Sequence, residues 1–563
     1  MNLTEQQKTI GKENFADSVA ITRRDFLTGT VAAGLASGAG LGSIYFGYGK
    51  SVGDPLRVGV LGTGDEGSVL VGAHNPDYLN VVAIADIRPY NVFRAFHGDV
   101  SSPSAYQARP GLMAKYKWST EDAAREKVKI YAAYEDLLAD PNVEAVIIAL
   151  PLHLHAEASI KAMRAGKHVL TEKLMGHSVH ECKEMSRVSQ ETGKILATGH
   201  QRHYSMLYDN AVHTIGTAKL IGDLHSIRAQ WHRGNLPGKD SWKPPMPDDA
   251  SLAKQLAGWK KDLETAKPSD IDPLEKKIAQ LEAQISDSLL DAAKFGYTQM
   301  SLPDGSARAP MEELVRWRLW NRTGGGLMAE LGSHQLDAAG IFVSAMHGQG
   351  KKVKPLTVTA VGNRSIFPAD REIDDHVYCM YEYPAPGYED DKNKKIVVTY
   401  SSINGNGFGG YGEVVLGTKG TLVLEQERDV MLYKDSSKDT RVTVAKAKDG
   451  SPTLDTTESG GGGGGGYAAS GKAGGADAAP SRGYTEEMEH WAWCIRNPSP
   501  ENQPRCKPDV AIADAVIALV SNIALANPTS QARIDFKPEW FDIASDETPE
   551  GVKPDVTRNG YKV

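Results

Sequence analysis

The sequence predicts an α/β fold in two parts. A doubly wound N-terminal domain on a parallel sheet is followed by an α+β domain with a large, mostly antiparallel open sheet. Three observations carry this. Between Arg57 and about Gln201, short apolar runs such as Val58–Leu61 and Ala145–Leu150 alternate with helical stretches, the pattern of strands covered on both faces. Gly62, Gly64 and Gly67 follow the first run at G-x-G-x-x-G spacing, and a second run, Val81–Ala85, ends on Asp86. After residue 201 the pattern changes to successive strand-like segments joined by short turns.

Residues 1–50 read as a targeting segment and linker. Arg23-Arg24-Asp25-Phe26-Leu27 precedes a mildly apolar, Gly/Ala-rich stretch, Thr28–Gly42. A twin-arginine signal of this kind addresses a folded protein for export, so the expected location is the periplasm or otherwise outside the cytoplasm by this route. The stretch is too short and glycine-rich for a spanning helix. Membrane contact is expected only through this segment if it stays uncleaved, and Ala36-Ser37-Gly38 is a candidate cleavage site.

Residues 55–200 are the expected dinucleotide-binding domain. Gly62 allows the tight turn after the first strand, Gly64 lets a pyrophosphate approach the backbone, and Gly67 lets the helix sit close on the sheet. Glu66 lies in the same turn. The helix N-terminus offers free N–H groups to the phosphates. Asp86 lies 19 residues after Gly67, where a carboxylate accepts the ribose hydroxyls and favours NAD. Arg88, two residues on, keeps NADP as the alternative. Leu150, Pro151 and His155 follow one strand, and Glu172 and Lys173 follow the next, His168–Thr171. These strand ends open onto the crevice where a nicotinamide would lie, so all five join the expected cofactor-binding set. There the Lys173 ammonium can stabilise a developing alkoxide; a surface lysine is the alternative. Ser178 with Glu181 has capping-box spacing, and Ile195–Thr198 closes the domain.

Residues 201–545 make the second domain. Strand-like segments are Leu224–Arg233, Leu356–Ser365, His376–Tyr383, Lys395–Ser401, Gly412–Leu416, Thr421–Glu425 and Val430–Tyr433. Tyr484–Ile495 and Asp509–Ala526 read as helices. Two insertions interrupt the plan. Residues 251–290 predict an amphipathic helical hairpin around a Pro268–Pro273 turn, a lid, an oligomer contact or a packing ornament. Residues 459–483 are a Gly/Ala tract read as a flexible loop, and 546–563 form a tail. Within Gly324–Asp337, the residues Glu330, His334 and Asp337 fall at i, i+4 and i+7, one helical face. A histidine oriented by a carboxylate is a natural general base.

Composition excludes other classes. With 563 residues, 40% apolar and 24% charged, the chain is an ordinary soluble globular protein of two or more domains. A net charge of −8 without a basic block gives no nucleic-acid surface. Cys182, Cys379, Cys494 and Cys506 form no C-x-x-C pair, so no metal is expected. Only Cys494 and Cys506 are close enough in sequence for a disulfide, and buried thiols are the preferred reading.

Together three stretches resemble the Gfo/Idh/MocA oxidoreductase family, which includes glucose–fructose oxidoreductase and inositol dehydrogenase. They are the glycine fingerprint, Ala165-Gly166-Lys167-His168-Val169 with Glu172-Lys173, and the glycines 324–326 leading to Gly332, His334 and Asp337. The resemblance covers about Arg57–Arg233 and Trp317–Asp337, and more loosely the later sheet and last helices. It implies a Rossmann domain and hydride transfer between a nicotinamide and a sugar or cyclic polyol. The family's catalytic lysine falls on Lys173 and its histidine on His334, with Glu330 or Asp337 orienting the histidine or holding substrate hydroxyls. A dimer or tetramer formed through the open sheet face is implied too. The sequence departs from the family at Glu330, usually Asp, at Leu174, usually Pro, and at Leu152, usually Asn. A redox-neutral, NAD-dependent glycosidase and a non-catalytic cofactor-binding protein are the competing readings. An exported enzyme meets no free nicotinamide pool, so the cofactor is expected to be loaded before export and not to dissociate. Lys50–Pro55 or the 251–290 hairpin would supply the cover.

Overall fold

The computed structural model describes residues 3–16, 41–49, 52–302, 305–348, 352–434, 443–446, 452–455, 482–526 and 533–551. Arg23-Arg24, the candidate cleavage site and most of the glycine tract lie outside the described residues.

The first domain is the expected doubly wound one. Strands β1 (Leu56–Leu61), β2 (Leu79–Ala85), β3 (Lys129–Tyr131), β4 (Ala145–Ile148), β5 (His168–Glu172) and β6 (Leu196–Gly199) form one sheet. It is ordered β3-β2-β1-β4-β5-β6, and its pairs are parallel. Helices cover both faces, so β4 is buried at every position and β1 at all but one. The strand order reverses between β1 and β4, which opens a crevice beyond their carboxyl ends. The Glu181 carboxylate accepts the His177 and Ser178 N–H groups at 2.8 and 3.2 Å, starting the Val179–Thr192 helix as predicted.

The second sheet is mixed. After β7 (Leu224–His232) comes a short hairpin, β8 (Met300–Ser301) with β9 (Ala307–Arg308). The remaining strands are β10 (Thr357–Asn363), β11 (His376–Pro384), β12 (Lys395–Ile403), β13 (Tyr411–Gly417), β14 (Gly420–Glu425), β15 (Asp429–Lys434), the separate pair β16 (Thr443–Lys446) and β17 (Pro452–Asp455), and β18 (Arg533–Asp535). The order is β15-β14-β13-β7-β12-β11-β10-β18, antiparallel except for β7 against β12. Helices Ser333–Ala345 and Pro508–Leu525 supply the core beside it. The Pro508–Leu525 helix is long and apolar enough to cross a membrane, but most of it is buried inside this fold. The sheet's other face leaves Val361, Tyr378 and Met380 exposed. At its β14–β15 end a helix over residues 5–16 packs on that face, with Lys8–Glu425 and Lys12–Asp429 ion pairs both at 2.9 Å. Cys182, Cys379, Cys494 and Cys506 are buried free thiols.

The 251–290 hairpin is present, with one correction. Its helices are Ala250–Glu264 and Pro268–Ser286, so the turn is residues 265–267 and Pro273 lies inside the second helix. Pro268 takes the first helical position, where its missing N–H costs nothing. Pro273, only one turn further in, removes a single bond near the end.

Candidate active site

One cleft of about 1410 Å³ runs from the β1–β2 crevice to the second sheet. That exceeds the usual range for a single small ligand. Gly62 has φ +82°, and a Cβ there would lie 2.5 Å from the Ala149 carbonyl oxygen. At Gly67 it would lie 2.1 Å from the Gly62 oxygen. The fold itself therefore demands both glycines. Gly64 differs: a Cβ there meets only Asn91, at 3.7 Å, and otherwise faces the cleft. Gly64 also caps the Asp65–Ala73 helix without a side chain, leaving first-turn N–H groups for an anion. Asp86 is held by the Thr63 N–H at 2.7 Å and the Arg88 N–H at 2.9 Å. These features fit a dinucleotide.

Glu66 and Glu172 both line the cleft, and each has one buried oxygen without a partner. Burial, then the neighbouring Glu66 charge, pushes the Glu172 carboxyl up from 4.5 to about 8. Between those values the folded chain holds a proton that the unfolded chain has released. The group's stabilisation is complete below the lower value and is lost as pH rises to the upper one. Glu172→Gln is expected to flatten the fall in thermal stability of ligand-free protein across that window, measured by melting temperature against pH. An unchanged slope would place the proton elsewhere.

Leu150, Pro151 and His155 line the cleft as expected. His155 braces its walls, with ring nitrogens 2.8 Å from the Leu174 and Leu150 carbonyl oxygens. Leu152 is buried in the core.

Lys173, Glu330 and His334 meet in the same cleft. The Lys173 ammonium donates to the Glu330 carbonyl at 3.0 Å. The Glu330 carboxylate pairs with Arg318 at 2.8 Å. Burial opposes its charge, but Arg318 and Lys173 hold it below the usual carboxylate range. Burial, with the Lys173 charge next, drives the His334 ring well below its usual value, so the imidazole is neutral at physiological pH. Its ring lies beside Trp231, centroids 5.7 Å apart.

Asp337 is not where the i, i+4, i+7 spacing put it. The turn Met328–Gly332 is a π-helix, and Asp337 lies beyond it in the regular helix Ser333–Ala345, on the side that faces the core. Asp337 is fully buried, 2.9 Å from His203 Nε2 and 3.1 Å from Lys352 Nζ, and Lys352 reaches Asp514 at 2.6 Å. It is a buried node under the helix. Neither carboxylate holds the His334 ring: Asp337 and Glu330 have other partners, and the ring has no hydrogen-bond partner among the described residues.

Sequence reasoning missed Arg318, Trp231, Arg233 and Asp287. Arg318 stacks over Trp317 at 4.3 Å. Trp231 stacks on Tyr411 at 4.3 Å and walls the cleft from β7. Asp287 enters from the insertion. No local motif marks any of these; Arg318, Trp231 and Arg233 reach the cleft through tertiary packing, and Asp287 lies buried behind Arg88. Lys50–Pro55 supplies no described part of the lining, because the preceding segment docks elsewhere, with the Tyr48 hydroxyl on Glu489 at 2.6 Å. The insertion and the segment after it do supply some, through Gln284, Phe295 and Tyr297.

Comparison with known proteins agrees with this geometry over the first domain. Residues 56–200 match the Gfo/Idh/MocA family, oxidoreductases with an NAD-binding Rossmann fold. An uncharacterised oxidoreductase of Schizosaccharomyces pombe is 34% identical over 128 residues, 22% of this chain and 34% of its own. A 1,5-anhydro-D-fructose reductase of Ensifer adhaerens is 35% identical over 107 residues, 19% of this chain and 30% of its own. The chain thus spans about a third of the length of these curated relatives. The crystal structure of an NAD-binding protein from Listeria innocua is 18% identical, covering 86% of this chain and 97% of that one, with TM-score 0.47. Residues 56–200 therefore carry the Rossmann fold that this family's model describes.

Proposed function

We propose that the chain is an oxidoreductase that uses NAD on a hydroxyl or carbonyl carbon of a sugar or polyol. The observation that carries this reading is the meeting of Lys173 and a neutral His334 in the cleft that Asp86 and Gly64 also line. The nicotinamide supplies the hydride acceptor or donor when bound. In the oxidative direction His334 takes the hydroxyl proton, since its ring is uncharged and has no hydrogen-bond partner among the described residues. Lys173 stabilises charge developing on the oxygen. Arg318 keeps Glu330 ionised, free to accept from a neighbouring substrate hydroxyl. The sugar reductase among the relatives supports this substrate class.

The reading includes export by the Arg23-Arg24 signal and a cofactor held without exchange. The cover that the insertion adds to the cleft supports retention. Protein recovered from the periplasm is expected to carry stoichiometric dinucleotide after extensive dialysis, released by denaturation and identified by mass spectrometry. Empty protein that turns over only with added NAD would overturn retention.

A further inference from the structure

The cleft's ribose end carries a guanidinium with an unexpected partner. Arg88 follows Asp86 by two residues, where an arginine suits the 2′-phosphate of NADP. Here its Nε lies 2.8 Å from Asp287 Oδ2, and the Asp287 side chain is fully buried. The second oxygen of Asp287 accepts the Tyr90 N–H at 3.0 Å. Asp287 directly follows the second helix of the insertion, so its carboxylate comes from a segment outside the doubly wound domain. Neighbouring cations are taken as well. Arg94, over the Tyr90 ring at 4.3 Å, pairs with Asp65 at 2.7 Å and Asp99 at 3.4 Å. Arg109 pairs with Asp99 at 2.8 Å. The carboxylates of Asp65, Asp86, Asp99 and Asp287 outnumber the guanidinium groups of Arg88, Arg94 and Arg109.

We propose that Asp287 is a determinant of cofactor choice: it pins and neutralises Arg88, the guanidinium placed for a 2′-phosphate, and its own charge adds to that of Asp86. The inference rests on the reading that this cleft binds a nicotinamide dinucleotide. Asp287 touches no reacting atom; it is a positioning residue acting through Arg88. The bond through Nε fixes the guanidinium and offsets its charge, and swinging it toward a phosphate would leave a buried carboxylate uncompensated.

The test is the affinity of the full chain for NAD and for NADP, in wild type, Asp287→Asn and Arg88→Ala. The dinucleotide that each variant carries when purified is identified alongside. Wild type is expected to prefer NAD. Asp287→Asn is expected to shift the NAD-to-NADP preference by about tenfold or more, mainly through tighter NADP binding, the scale of one hydrogen bond to a charged group. Adding Arg88→Ala to Asp287→Asn should remove that gain, whereas Arg88→Ala alone should leave NADP binding nearly unchanged. A merely structural role for Asp287 would weaken both dinucleotides together and leave their ratio fixed. A fixed ratio in Asp287→Asn, or about tenfold loss of NADP binding in Arg88→Ala alone, overturns the inference. If Asp287→Asn does not fold, the Arg88→Ala arm decides by itself. Wild type that binds neither dinucleotide refutes the underlying reading instead.

Discussion

Replacing Lys173 by methionine, or His334 by alanine, is expected to cut turnover on the true substrate by about 10²-fold or more, the scale of losing an acid–base group. The dinucleotide should stay in place. Neither side chain supports the fold: Lys173 makes one hydrogen bond to a backbone oxygen, and His334 faces the cleft without a hydrogen-bond partner among the described residues. Their loss therefore removes chemistry and little packing. The two changes should differ with pH. His334 is neutral because burial and the Lys173 charge depress its proton affinity. Lys173→Met lifts that second effect, so the acidic limb of the residual pH–rate profile should move to higher pH. Wild-type turnover in either variant would make that residue structural.

The three glycines of the fingerprint should separate folding from binding. Gly67→Ala places a Cβ 2.1 Å from a backbone oxygen, and Gly62→Ala combines a 2.5 Å approach with φ +82°. The left-handed backbone alone costs about 1–2 kcal/mol with a side chain, and the overlaps have only backbone to push against. Each variant is expected to lose about 3 kcal/mol or more, in the range of strained or overpacked sites, and to fail in a thermal-denaturation assay. Gly64→Ala meets open cleft, so its melting temperature should stay close to wild type while dinucleotide binding falls. A Gly64→Ala protein that keeps wild-type affinity would show that no phosphate approaches that backbone.

The doubly wound domain was legible because its signals are local. Apolar runs, three glycines and an acid at fixed spacing dictate a strand, a turn and a helix within thirty residues. The later sheet was legible as strands, but not in its pairing: β7 lies next to β12 and β13, far away in sequence. Spacing offered Lys173 and His334 only as candidates, one at a strand end and one on a helix, and the family resemblance gave them their roles. Asp337 was misplaced because spacing shows that it neighbours His334 on the helix but not that its side turns to the core, where His203 and Lys352 hold the carboxylate. Arg318 and Asp287 carry no pattern of their own. Arg318 is placed by its pair with Glu330, and Asp287 by how the insertion folds back, with Gln280 on Asp99 and Asp287 on Arg88.

Those last contacts also bear on time scale. Gln280 accepts the Val100 N–H at 2.7 Å, and Asp287 accepts the Tyr90 N–H. The hairpin is thus fastened to main-chain donors of the first domain as well as to its side chains. On the proposed reading, in which this strap retains the dinucleotide, departure is expected to need release of the buried pair and of the two main-chain bonds. Escape then has the character of a local unfolding event rather than of free diffusion from an open groove. Its rate is set by the stability of a helical hairpin some distance from the reacting carbon. The amide protons of Tyr90 and Val100 are its natural reporters, and on the proposed reading they are expected to exchange with solvent at the rate at which the cofactor leaves.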